Sequence, residues 1–224
     1  MGNDGTPERQ KISNPMKLIR VLLALTGTAI AIAIAIVLSP PFHRFREHHY
    51  IEVREFAIGL HISLMRQPII ILGDSLTELH TFPSQICGHS VVNAGIGGLR
   101  ISDFFDIAPR LLQRQRPFIV VIALGTNDRG SIRAKDDYLE LVEKLQPLAP
   151  NIIGISVAPD LPTINRIKMA AQEAGMEFTD AELQPSDRID GVHLNSQGYE
   201  RWEPALARAI MARCKLLDNL VQTD

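Results

Sequence analysis

The order of apolar and polar positions divides the chain into an amino-terminal part with no alternating pattern and a later part that alternates strand and helix signals. Residues 1–17 are polar, with Gly, Asn, Pro and charges of both signs, and read as a disordered leader. Val21 to Leu38 then runs for 18 residues without a charge, broken only by Thr26 and Thr28. A buried helix of a soluble domain would carry a wider polar stripe. As a helix the run rises about 27 Å, close to the roughly 30 Å hydrocarbon core of a bilayer. We read 18–39 as one uncleaved transmembrane helix. The long polar leader and the Leu38-Ser39-Pro40-Pro41 exit, which offers no A-x-A site, argue against a cleaved signal peptide. Residues 40–66 mix charges with apolar positions that fit no single helical face. They are expected to form a stalk that ends in a helix packed on the domain beyond.

From Gln67 to the end, residues 67–224, the pattern is that of one α/β domain. Ile69-Ile-Ile-Leu72, bounded by Pro68 and Gly73, predicts a short buried strand, followed by a helix to about Gln85. Ser90–Asn93 predicts a second strand and Ile101–Gln115 a helix closed by Arg116-Pro117. Phe118–Leu124 is apolar at every position, as a central parallel strand covered on both faces must be. Helix is expected over Asp136–Leu145 and Thr163–Ala174, strand over Ile152–Val157 and at the edge over Met176–Phe178. A last helix runs from Ser196, a candidate N-cap, to about Leu217. Such alternation predicts a three-layer α/β/α fold around a flavodoxin-like parallel sheet. No internal repeat is present.

Composition narrows the partners. The chain has 224 residues, 46% of them hydrophobic, enough for one substantial core but not for two large domains. A net charge of -2 gives no basic field, so no nucleic acid is expected as a partner. Charge around the apolar run is nearly even: Arg9, Lys11, Lys17 and Arg20 precede it, and Arg44, Arg46 and Arg54 follow. The slight bias puts the amino end in the cytoplasm and the domain in the periplasm or outside. Cys87 and Cys214 lack CxxC spacing and suggest no zinc; a disulfide in an exported domain and two buried thiols both remain open. No Cys or carboxylate cluster frames His48-His49, which reads as solvated chain next to the membrane.

In an open parallel sheet, ligands bind beyond the carboxyl ends of the strands. Four polar stretches fall there: Gly73-Asp74-Ser75-Leu76, Asn93-Ala-Gly-Ile-Gly-Gly98, Gly125-Thr126-Asn127-Asp128, and Asp190-Gly-Val-His193 before the last helix. Each alone is an ordinary turn or cap. Together, in this order from Ile69 to Trp202, they resemble the SGNH, or GDSL-type, esterase and lipase family. The α/β-hydrolase signature G-x-S-x-G is not met, since Thr77 stands where its second Gly would be.

The resemblance implies a serine hydrolase of carboxylic esters that uses no metal and no organic cofactor. Ser75 would be the nucleophile, His193 the general base and acid, and Asp190 the residue orienting it. The Ser75 and Gly98 N–H groups and the Asn127 amide would form the oxyanion hole. The chemistry is coherent: a serine hydroxyl needs a base, neutral imidazole supplies one near neutral pH, and a carboxylate three residues earlier can reach its Nδ1. Asp74 is expected to brace the strand-to-helix elbow, Asp128 to cap the turn after it, Asp187 to be a solvated loop charge, and His80 and His89 to lie at the surface. Residues 129–135 and 159–165 are expected to border the pocket. Short acyl esters, acetylated carbohydrate and lysophospholipid all remain open as substrates. An O-acyltransferase using the same site, or an idle membrane-tethered binding module, are the alternative readings.

Overall fold

The computed structural model describes residues 15–221, so the polar leader lies outside the described residues up to position 14. The chain divides into two compact units, one ending at Tyr50 and one beginning at Ile51. In the first, α1 (Pro15–Val37) is helical through the apolar run, and its apolar side chains from Leu22 to Val37 include many that are exposed, Leu23 at 66% and Ile30 at 61% among them. Among the residues whose side chains are described, no helix is long and apolar enough to cross a membrane. The side chains of Leu18, Val21 and Ala24 stand outside that set.

α2 (Pro40–Leu64) is one continuous helix. Its second half belongs to the later unit, because Ile58 and Ile62, four residues apart and so on one face, are buried in that unit's core. The compact unit therefore begins at Ile51 rather than at Gln67.

That unit is built on a six-stranded sheet in the order β2-β3-β1-β4-β5-β6. The strands are β1 (Ile69–Gly73), β2 (Gln85–Ile86), β3 (His89–Gly95), β4 (Ile119–Ala123), β5 (Ile152–Ile155) and β6 (Glu177–Thr179). All neighbours pair in parallel except the short β2, which runs antiparallel to β3. Leaving β2 aside, the parallel strands follow the doubly wound flavodoxin order, with β1 flanked by β3 and β4 at the switch point.

The period of two along each strand sorts the core into two layers. Ile70, Leu72, Val120 and Ile122 face α2, α4 (Phe104–Leu112), α5 (Ala134–Leu145) and α6 (Leu161–Glu173). Ile69, Ile71, Ile119 and Val121 face α7 (Ser196–Val221), whose Trp202, Leu206 and Ile210 are buried against them. Both faces are covered, which is why the central strands are apolar at every position. A disulfide joins Cys87, in the β2–β3 turn, to Cys214 on α7, closing 127 residues of chain.

Three local expectations change. The helix after β1 is a single turn, α3 (Ser75–Glu78), and does not reach Gln85. The chain there finds a tertiary partner: the Asn93 amide donates to Thr77 O in the turn and to His80 O just past it, at 2.7 and 2.9 Å. The long helix before Arg116 opens as a 3₁₀ turn over Ile101–Asp103 and ends at Leu112. Finally, α7 is capped by Asn195, whose Oδ1 accepts from Gly198 N, rather than by Ser196.

Candidate active site

β1 delivers the chain to Asp74, and the backbone turns there into α3. Asp74 is fully buried; its carboxylate accepts from Leu76 N at 3.0 Å and from Thr126 N at 3.3 Å. It therefore braces the elbow, as expected, and also ties it to the loop after β4. Burial pushes its carboxyl above the ordinary carboxylate range, against those hydrogen bonds. Ser75, the next residue, sits half-buried in the first helical turn.

The loop before α7 brings the other two predicted residues to it. Arg188 and Leu194 form an isolated antiparallel bridge, Ile189 N donates to His193 O, and Gly191 turns the chain between them. This tight loop points His193 Nε2 at Ser75 Oγ, 3.2 Å away. His193 Nδ1 lies 2.7 Å from Asp190 Oδ2, so the ring proton belongs on Nδ1 and the Nε2 lone pair faces the hydroxyl. Asp190 also accepts from Val192 N and His193 N. The His193 ring first, and then these N–H groups, hold its carboxyl well below the usual range. The pair is open to solvent: the side chains of His193 and Asp190 are 40% and 53% exposed.

Gly98 and Asn127 lie in neighbouring loops, after β3 and β4. Gly98 adopts φ +79°, a backbone that favours glycine, while a Cβ there would meet nothing within 4 Å. Asn127 stands in a 3₁₀ turn over Thr126–Asp128 and donates from its amide to Leu99 O at 2.8 Å. That bond holds the residue after Gly98 and leaves the second amide hydrogen of Asn127 available. The five predicted residues thus come from loops at the carboxyl edge of β1, β3 and β4 and from the loop before α7.

Several neighbours differ from expectation. Asp187 is not a solvated charge: it is 1% exposed, accepts from Gln184 N and pairs with Arg201 Nε at 3.1 Å. His80 is not at the surface either. Its ring stacks on Tyr199 at 4.8 Å, meets Trp202 edge-on, and is pushed by burial toward the neutral form. His89 stacks on Phe118 at 3.7 Å. Asp128 caps backwards rather than forwards, accepting from Ile101 N, and burial raises its carboxyl to about 6.

Four contributors escaped the sequence reading. Buried Arg188 donates to the Val157, Ala158 and Val192 carbonyls and so fastens the His193 loop to the end of β5. Tyr199 Oη donates to Leu76 O and steadies α3 from α7. Glu78 and Arg54 reach the glycine loop after β3. Only Glu78, one helical turn past Ser75, had a spacing that could have flagged it. Among the described residues, no group of three or more His, Cys, Asp or Glu is placed to hold a metal ion.

No protein-family model and no curated protein matches the sequence. Solved structures do. The chain is similar to a GDSL-like lipase from Bacteroides thetaiotaomicron, with 20% identity, a TM-score of 0.58, and 71% of this chain and 98% of that chain covered. It is similar to a family 3 carbohydrate esterase from Clostridium thermocellum at 17% identity and a TM-score of 0.54, covering 68% of this chain and 98% of that one. A Bacteroides fragilis protein assigned as an acylhydrolase shares 24% identity at a TM-score of 0.52, over 66% and 88% of the two chains. At such identities the likeness speaks for architecture: this chain has the three-layer α/β/α fold of the GDSL-like lipase and the carbohydrate esterase.

Proposed function

We propose that the protein is an SGNH-type serine hydrolase that cleaves carboxylic esters. The observation that carries this reading is the chain Ser75 Oγ, His193 Nε2, His193 Nδ1, Asp190 Oδ2, with links of 3.2 and 2.7 Å at the carboxyl edge of the sheet. The lipase and esterase neighbours of the same fold support it.

In this reading Ser75 Oγ attacks the ester carbonyl carbon while His193 Nε2 takes its proton. Asp190 stabilises the imidazolium that forms. The negative carbonyl oxygen is met by the Ser75 and Gly98 N–H groups and the Asn127 amide, neutral donors that favour the tetrahedral intermediate over the flat ester. Collapse expels the alcohol, which takes the proton from His193, and leaves the acyl group on Ser75. Water, deprotonated by His193, then adds to the acyl carbon, and collapse breaks its bond to Ser75 Oγ, which takes the proton back from His193 as the acid leaves. Every proton moves through one imidazole, and the arrangement calls for no metal or organic cofactor.

The open setting of His193 and Asp190 suits a short acyl ester or an acetylated carbohydrate whose alcohol stays outside, with a lysophospholipid as the long-chain alternative. The test is a chain-length series of nitrophenyl esters, with fluorophosphonate labelling to count active sites. Activity falling with acyl length and abolished in Ser75→Ala is expected. Turnover that survives Ser75→Ala overturns the mechanism, and acyl transfer to an added sugar hydroxyl in place of water assigns the transferase reading instead. Labelling that fails in folded protein leaves the idle binding module.

The uncharged run from Val21 to Leu38 and the Cys87–Cys214 disulfide support a further part of the proposal, a single-pass anchor with the catalytic unit in an oxidising compartment. The full chain is expected to stay with membranes after carbonate washing. Recovery of a shortened, freely soluble form from cells would show cleavage instead.

A further inference from the structure

The glycine loop after β3 carries the Gly98 N–H, and its shape is set from outside the loop. Ile96 N is bonded to Gly73 O, so the loop starts from the end of β1. Gly95 lets α3 lie against it: a Cβ there would stand 2.3 Å from Glu78 N. Next, Gly97 N donates to Glu78 Oε2 at 2.7 Å, and on the far side Leu99 O accepts from Asn127. Gly98 is thus bracketed by Glu78 before it and Asn127 after it.

Glu78 comes at a cost to the chemistry proposed above. It puts a carboxylate beside the peptide that precedes an oxyanion donor, and an uncompensated negative charge there would oppose the charge that forms in the transition state. Arg54 answers this. From α2 its Nε lies 3.4 Å from Glu78 Oε1 and donates to Gly95 O at 2.9 Å. Both side chains are largely shielded from solvent, at 27% and 21% exposure, so the pair is less screened than one at the open surface.

We infer that Glu78 and Arg54 are a positioning pair for ester hydrolysis: Glu78 holds the Ile96–Gly97 peptide, which sets the following peptide so that Gly98 N–H points at the oxyanion, and Arg54 neutralises Glu78. The inference rests on the serine-hydrolase reading. It places a residue of α2, the helix that follows the apolar run, in the support of the catalytic loop.

The test uses the full chain and reads kcat per fluorophosphonate-titrated site, KM and melting temperature for Glu78→Ala, Glu78→Gln, Arg54→Met and the double variant Arg54→Met/Glu78→Gln. A misplaced oxyanion donor should cost Glu78→Ala about 10- to 100-fold in kcat with KM within about twofold. Glu78→Gln keeps an acceptor for Gly97 N–H and should lose less. Arg54→Met should also lower kcat, and adding Glu78→Gln should recover part of that loss, because the carboxylate charge that Arg54 offsets is gone. A merely structural pair would shift the melting temperature and the number of titrated sites, with kcat per site unchanged; that result overturns the inference. So does an Arg54→Met defect that Glu78→Gln fails to relieve. The Glu78→Gln and Arg54 arms decide the matter even where Glu78→Ala does not fold. Ser75→Ala run alongside separates the two levels: if it retains turnover the serine mechanism itself falls, and if it is inactive while the pair is silent only the positioning role falls.

Discussion

At the scale of single residues, the site joins exposed reactive groups to buried ones that hold them. Asn127 belongs to both sets. One amide hydrogen goes to Leu99 O, and the proposed mechanism assigns the other to the oxyanion. Asn127→Ala is expected to lower kcat by about 10²–10³ with little change in KM, because the lost contact strengthens only in the transition state. A normal kcat per titrated site would remove Asn127 from the mechanism. Asp128, its neighbour, is 2% exposed and its carboxyl is raised from 3.8 to about 6. A raised acid favours the protonated folded state, so its contribution to stability is whole below about 3.8 and is lost as pH rises through about 6. Asn in its place stays neutral and can still accept from Ile101 N. The melting temperature of Asp128→Asn relative to wild type should therefore climb between pH 4 and pH 7. A difference that stays flat across that window would show that burial of this carboxyl is not felt.

At the scale of elements, α2 is more than a connection. Ile58 and Ile62 fill the core beside α4, and Arg54 reaches the loop after β3. Burying two isoleucines contributes roughly 3–6 kcal/mol, a large part of the 5–15 kcal/mol that holds a typical domain together. A chain beginning at Gln67 is expected to unfold at markedly lower urea than one beginning at Pro40, and to turn over more slowly while still folded. Equal midpoints would mean that the helix merely rests on the unit. The sequence pointed to a helix packed on the domain at the end of 40–66 but not to where the packing starts, because the apolar positions fit no single face over the whole helix; only from Ile51 onward does one face meet the sheet layer. The strands were plain for the opposite reason. β4 is buried on both faces, so its apolar run could be read without knowing its neighbours. The end of α3 was misplaced because an Asn93 side chain, distant in sequence, satisfies the carbonyls that a longer helix would have bonded itself.

At the scale of the whole molecule, the disulfide ties the β2–β3 edge to α7 across the layer that carries His193. Its loop of 127 residues makes it an effective constraint on the unfolded chain. Removing it through the exposed partner, Cys87→Ser, is expected to lower unfolding stability by about 2–5 kcal/mol, read from denaturant midpoints with and without reductant. Oxidised and reduced wild type with the same midpoint would count against it. What the sequence determined by itself was local: the buried strands, the four polar stretches at their carboxyl ends, and the residue types able to act as nucleophile, base and donor. Strand periodicity and turn chemistry act over a few residues, so they are written in consecutive letters. The tertiary structure decided what depends on chain segments far apart. It brought His193 to Ser75 across 118 positions, fastened its loop with Arg188, buried Asp187, half-buried His80, and chose the disulfide over two free thiols. These are contacts between layers, and no local pattern encodes a neighbour that only the packing of the sheet supplies.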